Sequence, residues 1–97
     1  MTEPLLRPAA AADLEEAAIW YEGQRPGLGG EFLDAAEAAV KRILALPKGY
    51  AVLYKDRRRV LLERFPYSVV YRLIEDQVVI IAVVHAKRSP TVWRRRS

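Results

Sequence analysis

Reactive and charged side chains are concentrated in the second half of this 97-residue chain. The single histidine, His85, is followed within three residues by Arg88, and a nuclease could use the pair as a general acid/base and a phosphate ligand. A lone histidine at a strand end is more often structural, because its ring hydrogen-bonds a loop backbone and orients the turn. We favour the structural interpretation, and the sequence leaves the catalytic one open.

Basic residues form two clusters along the chain. The first lies before or on a predicted strand and the second near the end of the sequence: Lys55, Arg57, Arg58, Arg59 and Arg64, then Lys87, Arg88, Arg94, Arg95 and Arg96. If the strands pair as a meander, both clusters lie near one sheet edge. Basic runs are often only solvated, and for Arg95 and Arg96 a frayed end is as good an explanation as binding.

Two aromatic positions accompany these clusters. Trp93 and Arg88 form the combination of an aromatic ring and a guanidinium that is enriched at binding hot spots, so we predict that both contact a partner. Tyr67 follows a proline, and we predict that it is exposed and available for contact. Tyr71 alternates with apolar residues, which predicts a ring facing the core.

The net charge of +4, with a pI near 9.7, is an average over two unlike halves. Residues 1–46 contain four basic and eight acidic residues, whereas residues 47–97 contain twelve basic and four acidic ones, which gives −4 and +8. The second half is therefore where an acidic partner is expected to bind. Direct nucleic-acid binding is the least favoured interpretation, because the sequence contains no helix-turn-helix or RNP-type motif.

Composition excludes several classes of protein and site. The chain has no cysteine and one histidine, so we expect no disulfide, no metal site and no cofactor. No apolar run approaches the ~18 residues that span a bilayer, and we expect a cytoplasmic protein. Its length predicts one domain over residues 1–97.

The predicted elements are two helices followed by strands. Apolar periodicity predicts helices over residues 9–24 and 31–46, joined by residues 25–30, and strands over residues 60–65, 68–74 and 78–85. Residues 48–59 are a loop or short strand, and residues 5–7 could add another strand. In the last strand the two apolar alternation sets predict burial on both faces: Val78, Ile80, Ala82 and Val84 on one, Val79, Ile81, Val83 and His85 on the other.

Several strings of the sequence occur in an order that resembles the RelE/ParE superfamily of type II toxin-antitoxin toxins, within its ParE-like branch. The first strand and helix match at residues 5–8 (LLRP), 12–15 (ADLE) and 20–21 (WY), and the next turn and helix at 26–29 (PGLG) and 32–33 (FL). The most specific strings are 64–71 (RFPYSVVY) and 85–90 (HAKRSP), with Trp93 and Arg94 after them.

The resemblance implies an α+β fold, in which an antiparallel sheet, made of a short N-terminal strand and a C-terminal three-stranded meander, packs against an N-terminal helical hairpin. It also implies that the protein is a toxin with a role in plasmid stabilisation. A cognate antitoxin with an acidic C-terminal segment would neutralise this toxin by forming a hetero-oligomer with it. RelE-like members are ribosome-dependent mRNA endonucleases, whereas ParE-like members inhibit DNA gyrase without a recognised catalytic site.

One position favours the ParE-like activity. Ser68 stands where RelE-like nucleases tend to carry an arginine, so we expect a non-enzymatic inhibitor of gyrase, bound through the A subunit. The alternative is a RelE-like mRNA endonuclease that uses His85 and Arg88. The residues expected to bind target or antitoxin are Arg57, Arg58, Arg59, Arg64, Tyr67, Lys87, Arg88, Trp93 and Arg94.

Overall fold

The computed structural model describes residues 3–97, so the first two residues of the predicted domain lie outside it. The elements in chain order are β1 (Leu5–Leu6), α1 (Pro8–Gln24), α2 (Leu28–Ala45), β2 (Val52–Tyr54), β3 (Arg57–Leu61), β4 (Tyr67–Ile74), β5 (Gln77–His85) and α3 (Thr91–Arg94). In residues 3–97, no helix is long and apolar enough to cross a membrane.

The helical hairpin is tighter than the sequence predicts. Helix α2 begins at Leu28 rather than at residue 31, because the Glu22 carboxylate accepts hydrogen bonds from the amides of Gly27 and Gly29 at 2.9 and 3.0 Å. A carboxylate at a helix start satisfies free N–H groups and complements the helix dipole. A Cβ at Gly29 would lie 2.5 Å from the Ala18 carbonyl oxygen, so the two helices approach closely at this glycine.

The sheet has the strand order β1-β5-β4-β3-β2. Strands β3, β4 and β5 form the predicted antiparallel meander, and β1 pairs in parallel with β5 through Leu5 and Leu6. The hairpin turn between β4 and β5 uses Glu75 and Asp76, which both have positive φ, as a two-residue type I′ turn requires. The α+β fold and the additional first strand are confirmed.

The first strand of the meander lies earlier than predicted. Strand β3 covers Arg57–Leu61, whereas the sequence predicted residues 60–65, so the three consecutive arginines of the segment predicted as a loop or short strand lie in β3. Beyond Leu61 the chain leaves the ladder in a bend that includes Arg64 at φ 71°, before Pro66, which has no N–H to donate. The apolar residues Leu62 and Phe65, which suggested a longer strand, are buried in the core although they lie in this bend.

A β-bulge changes which side chains of β5 share a face. Val70 of β4 pairs with Ala82, but the next residue, Tyr71, pairs with Ile80, so Ile81 is an extra residue in β5. Beyond the bulge the alternation is shifted: Val83 joins Val78 and Ile80 against the helices, and Ala82 joins Val79, Ile81 and Val84 on the opposite face. The two alternation sets predicted for this strand are wrong after Ile81, although its burial on both faces is confirmed.

The sheet separates two apolar clusters. On one face, α1 and α2 pack over the sheet, and the fully buried α2 residues include Phe32, Ala39 and Ile43, as their helical spacing predicts. The Tyr71 ring is also buried there, as predicted, and its hydroxyl donates to the Pro47 carbonyl at 2.6 Å. The opposite face, which we call the open face, carries a smaller cluster covered by Trp93 of α3.

Candidate functional site

A cleft of about 290 Å³ lies on the open face beside α3. Its exposed lining groups include the side chains of Arg59, Arg88 and Arg94, and its buried lining includes Ser68 and the valines of β4 and β5. None of its lining residues is acidic. We call this site the basic cleft, and it joins the two sequence clusters, since Arg59 comes from the first and the other two arginines from the second.

Strand alternation separates the three consecutive arginines of β3. Arg58 points toward the helical side and donates to the Tyr50 carbonyl at 2.6 Å. Arg57 lies on the open face, where it donates to Asp56 and to the Arg96 carbonyl at 2.8 and 2.7 Å. Only Arg59 reaches the basic cleft, so the run predicted as one binding segment divides into two structural residues and one free cation.

Two further basic candidates lie outside the basic cleft. Arg64 is exposed in the bend after β3, where its guanidinium pairs with Glu31 of α2 at 2.7 Å. Lys87 is exposed in the turn after β5, and its backbone amide donates to His85.

The sequence predicts that Trp93 contacts a partner, whereas the structure buries most of this side chain. Trp93 is only 6% exposed and packs in the open-face cluster, with its ring centroid 6.1 Å from that of Tyr54. A buried ring holds α3 against the sheet, so we assign Trp93 to the support of the cleft rather than to direct contact. Arg94, the residue after this anchor, lies over the Tyr54 ring at 4.6 Å and remains exposed.

Arg96 is held by the fold rather than frayed. Its guanidinium contacts the Asp13 carboxylate of α1 at 2.6 Å and the Ile81 carbonyl at 3.1 Å, whereas Arg95 is exposed. The frayed-end interpretation is therefore wrong for Arg96. It failed because the acidic partner lies 83 positions away in the sequence.

His85 has the hydrogen bond that the structural interpretation predicts. Its Nδ1 accepts from the Lys87 amide at 3.0 Å, and its carbonyl accepts from the Arg88 amide at 2.9 Å, which fixes the turn after β5. An accepting Nδ1 places the proton of the neutral ring on Nε2. The Nε2 side is then the one from which this ring could act on a ligand.

Tyr67 packs against the His85 ring with 5.2 Å between centroids, and also against Tyr21 and Phe32. The ring is half-buried, so the prediction of an exposed Tyr67 is wrong: the ring packs against the aromatic residues of the helical hairpin, although the flanking Pro66 is exposed. Burial raises the pKa of its hydroxyl above 10.0, and the nearby Arg88 opposes this only in part. A hydroxyl with this pKa stays protonated near neutral pH and is unsuited to act as a base.

Ser68 is a site residue that the sequence interpretation did not select. It is 2% exposed and lines the basic cleft, where its hydroxyl can donate to a ligand. A signal was present in the sequence, because Ser68, Val70 and Arg72 alternate along one strand and must share a face. Only the position of α3 shows that this face forms a cleft.

A second charged group lies on the open face beside the basic cleft. Asp56 receives hydrogen bonds from Arg57 and Arg72, both at 2.8 Å. Burial raises the pKa of the Asp56 carboxyl, but the two guanidinium groups outweigh this, and its pKa lies below 3.8. Asp56 therefore pairs with both arginines and offsets one of their two positive charges, whereas Arg59, Arg88 and Arg94 of the basic cleft belong to none of the salt bridges formed within residues 3–97.

The side chains described in residues 3–97 include no group of three or more histidine, aspartate or glutamate residues that could hold a metal ion. The chemistry of the basic cleft is therefore that of guanidinium groups, one hydroxyl and one imidazole, which suits the binding of an anion.

Known proteins are similar to this chain in sequence and in fold. The family model of the ParE toxin of the type II toxin-antitoxin system parDE matches residues 5–90. Toxin ParE2 of Mycobacterium tuberculosis, in strains CDC 1551 and H37Rv, is 35% identical over 82 residues, covering 80% of this chain and 75% of that protein. A solved chain of the chromosomal ParDE TA system from P. aeruginosa has the same fold, with a TM-score of 0.66 at 22% identity over 88% of this chain and 96% of that one. The chain therefore belongs to the ParE toxin family of type II toxin-antitoxin systems.

Proposed function

We propose that this toxin inhibits DNA gyrase by binding it, through the A subunit, without catalysing a reaction, and that a cognate antitoxin with an acidic C-terminal segment neutralises it. Membership of the ParE family supports the first part of the proposal. The observation that carries it is the basic cleft, where Arg59, Arg88 and Arg94 lie on one surface without an acidic residue. Such a surface attracts and orients an anionic partner.

The antitoxin has a second surface available. A groove of about 390 Å³ between β1, α1 and α2 is lined mainly by apolar side chains, among them Leu6, Leu14, Leu33 and Val40. Leu6 and Leu33 are 45% and 44% exposed. We infer that the apolar side chains of an amphipathic antitoxin segment pack in this apolar groove, while the charge of the sheet half speeds its capture.

A supercoiling assay with purified gyrase and relaxed plasmid tests the proposal. We expect the toxin to reduce supercoiling, prior addition of the antitoxin to restore it, and Arg88→Ala to weaken inhibition more than Lys41→Ala. Lys41 is a suitable control because it is exposed on α2, away from the basic cleft, and its removal changes the net charge equally. Unaltered supercoiling at toxin excess would refute the proposal.

One observation favours a second candidate function, ribosome-dependent cleavage of mRNA. His85 and Arg88 both line the basic cleft, so an acid/base group and a phosphate ligand lie side by side there. If this alternative is right, the toxin added to a translation extract should cut messages within codons. The His85→Ala variant should then no longer cut them. The primary proposal predicts that the messages stay intact.

A further inference from the structure

The three arginines of the basic cleft differ from the other arginines of the open face. Arg57 and Arg72 pair with Asp56, whereas Arg59, Arg88 and Arg94 belong to none of the salt bridges formed within residues 3–97. Three uncompensated cations around one cleft repel one another, and an anion that lies between them removes this repulsion. The cleft is therefore arranged for a ligand with negative charge.

The position of Arg94 leaves its hydrogen-bond donors free. Its guanidinium lies over the Tyr54 ring at 4.6 Å, a cation–π contact. Such a contact leaves the N–H groups of a guanidinium able to donate to an oxygen ligand. Tyr54 is itself held by Trp93, so the fold fixes this arginine at the edge of the basic cleft.

Ser68 adds a neutral donor to the same site. Its side chain is almost fully buried and lines the basic cleft. A serine hydroxyl can donate to an oxygen of a bound ligand. One neutral donor in the same cleft as three guanidinium groups matches an anion that carries several oxygens.

The exposed chemistry of the basic cleft favours a phosphate over an acidic peptide. Its larger apolar lining residues, Val70, Val84 and Trp93, are buried, and its exposed lining consists of Leu53, Ala86 and Pro90 together with the guanidinium groups. A peptide that folds onto a protein needs apolar anchors, and those are offered by the apolar groove on the other face of the sheet. Guanidinium groups with a hydroxyl donor are the combination that proteins use to hold nucleic-acid phosphates.

We propose that the basic cleft binds the phosphodiester backbone of a nucleic acid, through the guanidinium groups of Arg59, Arg88 and Arg94 and the hydroxyl of Ser68. This inference rests on the proposed function, because it names the ligand chemistry of the same target-binding surface. It adds that the toxin contacts the nucleic acid of its target complex as well as the protein.

Fluorescence anisotropy with the purified full chain, without gyrase, tests this proposal. The probes are a labelled twelve-nucleotide single-stranded DNA, the RNA of the same sequence and the corresponding DNA duplex. Three phosphate contacts predict that the logarithm of the binding constant falls with the logarithm of salt concentration, with a slope of about −2 for a single strand. The probe that binds most tightly identifies whether the bound phosphodiester backbone is that of DNA or of messenger RNA.

Single substitutions assign the contacts. We expect Arg59→Gln, Arg88→Gln and Arg94→Gln each to weaken binding roughly tenfold and to reduce the salt slope by about 0.7. Ser68→Ala should weaken binding without changing the slope, because the lost donor is neutral. Lys41→Gln, which removes one charge outside the basic cleft, should change neither, and thermal unfolding of each variant verifies the fold.

Two results would overturn the proposal. One is a loss of binding in the three cleft variants no larger than in Lys41→Gln, which would assign any binding to net charge alone. The other is displacement of the oligonucleotide by a glutamate peptide of equal charge at a lower concentration than unlabelled oligonucleotide, which would assign the cleft to an acidic protein segment. Failure of gyrase inhibition is a separate result, since no gyrase is present in this measurement.

Discussion

The Arg96 guanidinium lies 2.6 Å from the Asp13 carboxylate and joins two residues 83 positions apart. Both side chains also bind the edge of β5: Asp13 accepts from the Val83 amide at 3.0 Å, and Arg96 donates to the Ile81 carbonyl. Strand β1 covers this edge only as far as Ile80. The ion pair thus replaces a longer β1 and satisfies backbone groups that an unpaired strand edge would expose.

Asp13→Ala is expected to destabilise the chain by about 2 kcal/mol, because it removes the acceptor of the Val83 amide and leaves the Arg96 guanidinium with the Ile81 carbonyl alone. Asp13→Asn, which can still accept from Val83, should cost less. Urea unfolding measures both, with Glu15→Ala on the exposed side of α1 as the control. Equal stabilities of the Asp13→Ala and Glu15→Ala variants would show that the edge contact contributes nothing.

Trp93→Ala is expected to cost about 3 kcal/mol, because removal of a buried indole leaves a cavity between α3 and the sheet. Trp93→Phe should retain most of the stability. The loss of Trp93 should also weaken partner binding indirectly, since Arg94 is positioned from α3. Denaturant unfolding followed by circular dichroism tests this, and a Trp93→Ala variant as stable as the parent chain would place the ring outside the core.

Gly29→Ala is expected to destabilise the helical hairpin by about 1–3 kcal/mol, because the new Cβ would lie 2.5 Å from the Ala18 carbonyl oxygen. The neighbouring Gly30 is a matched control. A Cβ at Gly30 meets nothing within 4 Å, so Gly30→Ala should stabilise α2 by up to about 1 kcal/mol. Thermal unfolding should therefore move the two melting temperatures in opposite directions, and shifts of the same sign would contradict the close approach of α1 and α2.

The contribution of Glu31 to stability should depend on pH. Hydrogen bonds from Arg64 and then Arg25 hold the pKa of Glu31 below its usual 4.5. The unfolded chain therefore binds more protons at this residue, so the stabilisation is fully present above pH 4.5 and is lost as the pH falls through the lower, folded-state pKa.

Urea unfolding of the parent chain and of Glu31→Gln measures this dependence. The difference in stability between them should be largest at neutral pH and should narrow as the solution is acidified below pH 4.5. Glu15→Gln provides a control for general charge effects, since Glu15 has no ion-pair partner in residues 3–97. A difference that stays constant with pH would contradict the role given to Glu31.

The elements that local patterns determine were predictable. Helical spacing of Phe32, Ala36 and Ile43 identified the buried stripe of α2, and β-branched runs identified β4 and β5. The start of α2 and the bulge at Ile81 were not predictable in this way. The first depends on where the Glu22 carboxylate meets the next helix, and the second on the register between two strands.

The candidate site shows the same division. The positions of His85, Arg88 and the basic run were evident, as was the asymmetry of charge between the two halves of the chain. The sequence did not show whether a given arginine is free, because its hydrogen-bond acceptors can be distant in sequence. Arg96 is held by Asp13, and Arg57 by Asp56 and by the Arg96 carbonyl.

The sequence by itself therefore determined the order of the elements, the family resemblance and the charged half of the molecule, since each of these depends on residue types and short spacings. The tertiary structure alone decided that Arg59, Arg88 and Arg94 line one cleft together with Ser68 and that Trp93 is buried. The physical reason is that strand pairing and the docking of α3 are long-range contacts, and only such contacts determine which charges are paired and which remain available to a partner.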